Sequence, residues 1–230
     1  MQKLLRLIKK YDHAFLLLYG PIYMYCFKYL EYRQVSHLHI INGTLDNYIP
    51  FIEIFVVPYL LWFLYLFVYQ VYLFFADKEI FVKTMLIEIV GMTIFLLVSW
   101  LYPNGLTLRP DHFARDNIFT QLLTILYRID TPTNVLPSIH VFNTMAVFFG
   151  INRSKKMDKV KVMRWIGDVM TVLIILSTMF IKQHSILDVV TAFILVWICY
   201  AFAYEHAWEY TKNYFSSGSQ SQCVKNQEKV

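Results

Sequence analysis

Long apolar runs, broken by short polar loops, organise this chain. Segments 51–76 and 80–102 are almost unbroken stretches of Phe, Tyr, Leu, Ile and Val. Each is at or above the ~20 residues a helix needs to cross a ~30 Å hydrocarbon layer. Segments 13–32, 165–181 and 185–207 show the same pattern, and 137–151 shows a shorter form of it. The pattern predicts an all-α polytopic membrane protein with six transmembrane helices, with Pro21 expected to kink the first. Within the polar stretch 103–136 the apolar residues Ile118, Phe119, Leu122, Leu123, Ile125 and Leu126 recur at helical spacing. They predict an amphipathic helix over 116–129, lying on the membrane surface before the fourth span. Residues 1–10 mix Lys and Arg with Leu and Ile and are expected to form a short interfacial helix. One membrane domain is expected over 1–208, followed by a polar, Ser/Gln-rich and disordered tail over 209–230.

Composition supports this class. At 57% hydrophobic and 18% aromatic the chain is too apolar for an ordinary soluble domain. A net charge of +5 could point to nucleic acid, but the basic residues sit in short segments between apolar runs. Most of the 21 Lys and Arg fall near the N-terminus, after the second and fourth spans, and in the tail. By the positive-inside rule both termini are expected to be cytoplasmic, in a multi-pass protein of the cell membrane. Nucleic acid is then not an expected partner. Cys26, Cys199 and Cys223 have neither metal nor redox spacing, and the two in apolar runs read as small buried hydrophobes. Glu53 and Glu88 lie in or near spans, where an ionised group is costly, so both are expected to be paired structurally, with Lys83 or a hydroxyl.

The candidate chemistry gathers in two blocks at the starts of apolar runs, 134–140 and 182–188. His184 and Asp188 are four residues apart, which puts them on one helix face. A carboxylate beside a ring nitrogen fixes the tautomer and supports a developing imidazolium. In the other block Pro137 suits a first helical turn, and Ser138 and His140 lie by a helix N-terminus, where N–H groups attract anions. Arg109 offers a fork that matches phosphate oxygens, and Lys182 stands two residues before His184. Charge counting puts Arg109, His140, Lys182 and His184 at one membrane face, the outer one. Two histidines, one carboxylate-supported, with cations nearby, read as a phosphoryl-transfer site. A metal held by His184, Asp188 and His140 and a haem between the two histidines are the alternatives. With no acidic cluster evident and both histidines at helix starts, metal-free covalent catalysis without a cofactor is expected.

The order of these residues resembles the type 2 phosphatidic acid phosphatase family, membrane lipid phosphate phosphatases and phosphotransferases. Arg109-Pro110 matches the end of its first motif, Pro137-Ser138-Ile139-His140 the second, and His184 with Asp188 the third, over residues 100 to 190. Tyr102 stands where the first motif carries Lys, Ile139 where the second carries Gly, and Thr178 follows Ser177 where the third carries Arg. The resemblance implies a phosphohistidine on His184, a general acid at His140, support from Asp188, and phosphate binding by Arg109, Lys182 and Ser138. The substrate is then a phosphomonoester or diphosphate of a membrane lipid. Hydrolysis, head-group transfer of the inositol phosphorylceramide synthase kind, and a non-enzymatic membrane protein stay open as functions.

Overall fold

The computed structural model of the chain describes residues 10–35 and 37–206, and its described part is mostly helical. Nearly all of the expected interfacial helix at 1–10 and the whole tail from 209 lie outside the described residues. A 3-10 turn, Asp12–Leu18, leads into α1, Tyr19–Tyr32. The change of helix type falls two residues before Pro21, which occupies the first turn of α1, where a missing N–H is tolerated. The second apolar run enters by a 3-10 turn and divides at Leu61 into α2, Val56–Leu60, and α3, Trp62–Ala76. After it come α4, Lys78–Leu101, and α5, Ile118–Ile129. Then come α6, Ile139–Arg153, α7, Lys161–Phe180, and α8, Ile186–Ala201, which runs on into a π-helical turn, Phe202–His206.

Among the described residues four helical segments are long and apolar enough to cross a membrane: Glu53–Ala76, Lys78–Leu101, Lys161–Phe180 and Ile186–Tyr204. Helix α6 has 15 residues, about 22 Å, and is packed on by α3, α4, α7 and α8. Its consecutive residues Val141 to Val147 are all buried, so it presents no free face, and its composition is set by neighbours rather than by solvent. Close approach of α4 to α6 needs Gly91, because a Cβ there would overlap the Phe142 ring. Gly91→Ala is therefore expected to lower stability by about 1–3 kcal/mol, as overpacking of a filled core does. Thermal unfolding in detergent, beside Gly20→Ala, whose added Cβ meets nothing within 4 Å, checks this. Equal midpoints for the two variants would refute it.

The loops at one end of the bundle are tied into a small framework. Strand β1, His39–Ile40, pairs in parallel with β2, Asn104–Gly105, and Gly105 also bridges to Thr133. A Cβ on Gly105 would lie 2.8 Å from the Pro132 carbonyl, which is why glycine stands where three segments cross. The fully buried Asn104 uses its Oδ1 to accept the N–H groups of Val135 and Leu136, both at 3.0 Å. At the opposite end Asp77 accepts from Ser154 Oγ at 2.7 Å, and Tyr72 donates to the Lys156 carbonyl.

The acids of the two long apolar segments have different partners from those expected. Lys83 pairs with Glu79 one turn earlier, whereas Glu88 is buried and accepts from the Gln70 amide at 2.7 Å. An i,i+4 pair is locally available to Lys83, while Glu88 faces α3. Glu53 accepts from Arg115 and Asn117, each at 3.3 Å.

Candidate active site

The residues between α7 and α8 form a compact turn that delivers His184. Gln183 N–H donates to the Thr178 carbonyl and Lys182 N–H to the Met179 carbonyl, with Lys182 at φ 56°. This is a Schellman ending with lysine in the left-handed position that glycine usually takes, at a cost of order 1 kcal/mol. His184 N–H also donates to the Thr178 carbonyl, which turns the chain back toward the bundle. Ser185 then caps α8, its Oγ accepting from Leu187 N–H at 3.1 Å. Asp188 falls in the first turn of α8, fully buried.

His184 Nδ1 lies 2.9 Å from Asp188 Oδ2, and His184 Nε2 lies 3.2 Å from His140 Nδ1. A carboxylate only accepts, so the proton of this contact sits on His184 Nδ1. Nε2 is then left with its lone pair, and His140 Nδ1–H donates to it. The two nitrogens of His184 face opposite partners, so the three side chains form a line rather than converging on one point. His140 is held by aromatic rings, Tyr59 at 4.5 Å and Trp62 at 4.3 Å between centroids. Ser138 caps α6, its Oγ accepting from Val141 N–H at 3.4 Å, and its own N–H donates to the Asp188 carbonyl at 3.1 Å. Pro137 stands just before that cap rather than inside the first turn, since α6 starts at Ile139.

Arg109 reaches the same end of the bundle from the loop before α5. Its guanidinium donates to the carbonyls of Tyr127, at 3.0 Å, and Asp130, at 2.6 Å, and to Gln183 Oε1, the residue next to His184. It also lies over the Tyr127 ring, 4.4 Å from the centroid. None of these contacts is a carboxylate, and its Nε is buried without a hydrogen-bond partner. Burial pulls its pKa below the ordinary value, opposed by the nearby Asp130 carboxylate, and arginine stays charged regardless. Lys182 is placed differently. Its Nζ donates to the carbonyls of Asp46, at 2.8 Å, and Ile49, at 2.6 Å, so it fastens the 39–49 loop rather than touching either histidine. Burial lowers the Lys182 pKa, with the Asp46 carboxylate opposing the shift. The hydroxyls of Ser177 and Thr178 are taken up by carbonyls of their own helix, those of Ile174 and Ile175. Tyr102 stacks on His39 at 4.0 Å.

Residues with no sequence signal complete the arrangement. Asp46, 1% exposed, accepts from Gly43 N–H and Ser185 Oγ, both at 2.7 Å, and from Ile186 N–H at 2.8 Å. It thus caps α8 from a loop far away in the chain, holding the turn that carries Asp188. Asp130 accepts from Tyr59 OH at 2.7 Å and Gln183 Nε2 at 3.3 Å, which links the His140 cage to the Arg109 contact. Gln183 lies within the 182–188 block and Asp130 just after the amphipathic segment, but their sequence names no partner for either. Among the described residues no group of three His, Cys, Asp or Glu side chains forms a metal-ligand set. No protein-family model matches the chain, and neither a curated protein nor a solved structure does.

Proposed function

We propose that this chain is a membrane-embedded phosphoryl-transfer enzyme of the type 2 phosphatidic acid phosphatase kind, hydrolysing a phosphomonoester or diphosphate of a lipid. The observation that carries the reading is the line Asp188–His184–His140, with the guanidinium of Arg109, hydrogen-bonded to no carboxylate, one residue away through Gln183. A structural histidine needs one satisfied nitrogen. Here both nitrogens of a buried histidine are aligned with a carboxylate and a second ring, an arrangement suited to moving charge along a line.

In this reading α1 and α6 also cross the membrane, giving six spans. Helix α5 lies at the headgroup level, and the excess of basic residues elsewhere sets the site on the extracytoplasmic face. The lipid phosphate enters between the two histidines, opening their 3.2 Å contact. His184 Nε2 attacks phosphorus; the P–N bond forms as the bond to the lipid oxygen breaks, and His140 Nδ1–H protonates that oxygen. Asp188 balances the positive charge that appears on the His184 ring. Water then attacks phosphorus while His140 takes its proton, the P–N bond breaks, and inorganic phosphate leaves. Arg109 and the N–H groups near Ser138 favour the charge on the phosphoryl oxygens. Lys182 serves the site by holding the 39–49 loop and adds positive potential near it.

The test is phosphate release by the purified chain in detergent with EDTA, from phosphatidic acid, phosphatidylglycerophosphate and a prenyl diphosphate. Release that survives chelation, together with an acid-labile phosphoryl label on the protein, is expected. Failure of well-folded protein to release phosphate from all three would overturn hydrolysis. Head-group transfer to an acceptor alcohol would then be the reading to test, with the same site residues.

A further inference from the structure

The outer face of α1 carries a second candidate site, separate from the histidines. Two adjoining hollows, of about 440 and 360 Å³, share Tyr25 and Tyr29; the first lies on the end of α1, and the second follows the seam between α1 and α4. The first is lined by Lys28, Tyr32 and Arg33 besides these two tyrosines. The second descends past Leu30, Trp100, Leu97, Leu96, Cys26 and Thr93 toward the middle of the bundle. Cations and tyrosine hydroxyls therefore stand at the loop end, and apolar side chains line the deeper part.

The charges set the chemistry of the occupant. Lys28 is exposed, and no hydrogen bond or ion pair joins it to any described residue. Arg33 donates to the carbonyls of Ser99 and Trp100, which hold it at the groove mouth without neutralising it. The nearest acid in sequence, Glu31, is turned inward to Thr131 and Asn134, on the loop leading to Ser138. A lysine that a helix presents at the headgroup level attracts an anion, and the phosphate is the anion that level supplies. Tyr25 and Tyr29, 79% and 66% exposed, suit the same depth, where amphipathic rings prefer to sit.

We infer that the α1–α4 seam binds one anionic glycerophospholipid, its phosphate against Lys28 and Arg33 and an acyl chain along Leu97 and Cys26. The inference rests on the membrane-embedded reading and is independent of phosphoryl transfer. Because Glu31 joins α1 to the loop before His140, a lipid held here also braces the wall of the candidate active site.

The experiment is native mass spectrometry of the purified full chain in detergent, titrated separately with dioleoyl phosphatidylglycerol and dioleoyl phosphatidylcholine. The His184→Ala background removes turnover, so that binding alone is read. One tightly retained phosphatidylglycerol and weaker phosphatidylcholine are expected. Lys28→Gln, at an exposed position with no partner to lose among the described residues, should weaken phosphatidylglycerol about fivefold. Leu97→Trp, which fills the groove and leaves both cations in place, should weaken it as well. Equal retention of the two lipids, or wild-type retention in both variants, overturns the site. Release of the chain from membranes by alkaline carbonate would instead overturn the membrane reading, and the lipid site with it.

Discussion

Replacing His184 with alanine is expected to abolish phosphate release, and Asp188→Asn to lower kcat by about 10³–10⁴-fold with a much smaller change in KM. His184 Nε2 stands between a supporting carboxylate and a proton donor, so its loss removes the nucleophile outright. Asparagine has the shape of aspartate and leaves the backbone contact from Ser138 N–H to the residue-188 carbonyl in place. Its amide can, however, donate to His184 Nδ1, which puts the ring proton on Nε2 and takes away the attacking lone pair. Initial rates at saturating lipid, beside thermal unfolding to show that Asp188→Asn still folds, check both. A folded Asp188→Asn protein within about tenfold of wild type would show that the carboxylate is structural, because orientation of a working base is worth more than that.

The second large effect is expected at Asp46. Asp46→Ala leaves Gly43 N–H, Ser185 Oγ–H and Ile186 N–H without their acceptor in a buried place. The loss of these bonds and of the α8 cap is expected to cost about 2–4 kcal/mol. Activity should fall further than stability alone requires, because the first turn of α8 carries Asp188 and its register sets the 2.9 Å contact to His184. Asp46→Asn keeps one carbonyl oxygen but turns an amide toward donors, so it should fall between alanine and wild type. Thermal midpoints in detergent and kcat at saturating lipid, measured on both variants below their midpoints, decide this. Wild-type kcat in a destabilised but folded Asp46→Ala protein would confine Asp46 to stability.

The apolar runs located the helices well because burial in lipid or in a helix bundle demands the same residues, and length then separates the two poorly. Segments 51–76 and 80–102 appear as Glu53–Ala76 and Lys78–Leu101, each long enough to span. The run 137–151 appears as the 15-residue α6, enclosed by other helices. The amphipathic spacing over 116–129 appears as α5, capped by Asn117. Glu88 is the case where pattern misled: its partner is Gln70 on the neighbouring helix, not Lys83 on its own.

The sequence by itself determined the helical class, the pairing of His184 with Asp188, and the place of His140 near a helix start. The spacing of four places the two residues within reach of each other, but His184 precedes the Ser185 cap of α8 rather than sharing its helix face, and the turn after α7 completes the contact. Only the tertiary structure decided that His140 touches His184, that Arg109 reaches Gln183, and that Lys182 holds a loop. It also found Asp46, whose partner Ile186 lies 140 residues further along the chain. A buried carboxylate capping a distant helix leaves no periodic trace in its own segment. Contacts between elements are fixed by how whole helices pack, and one chain read in order carries no measure of that.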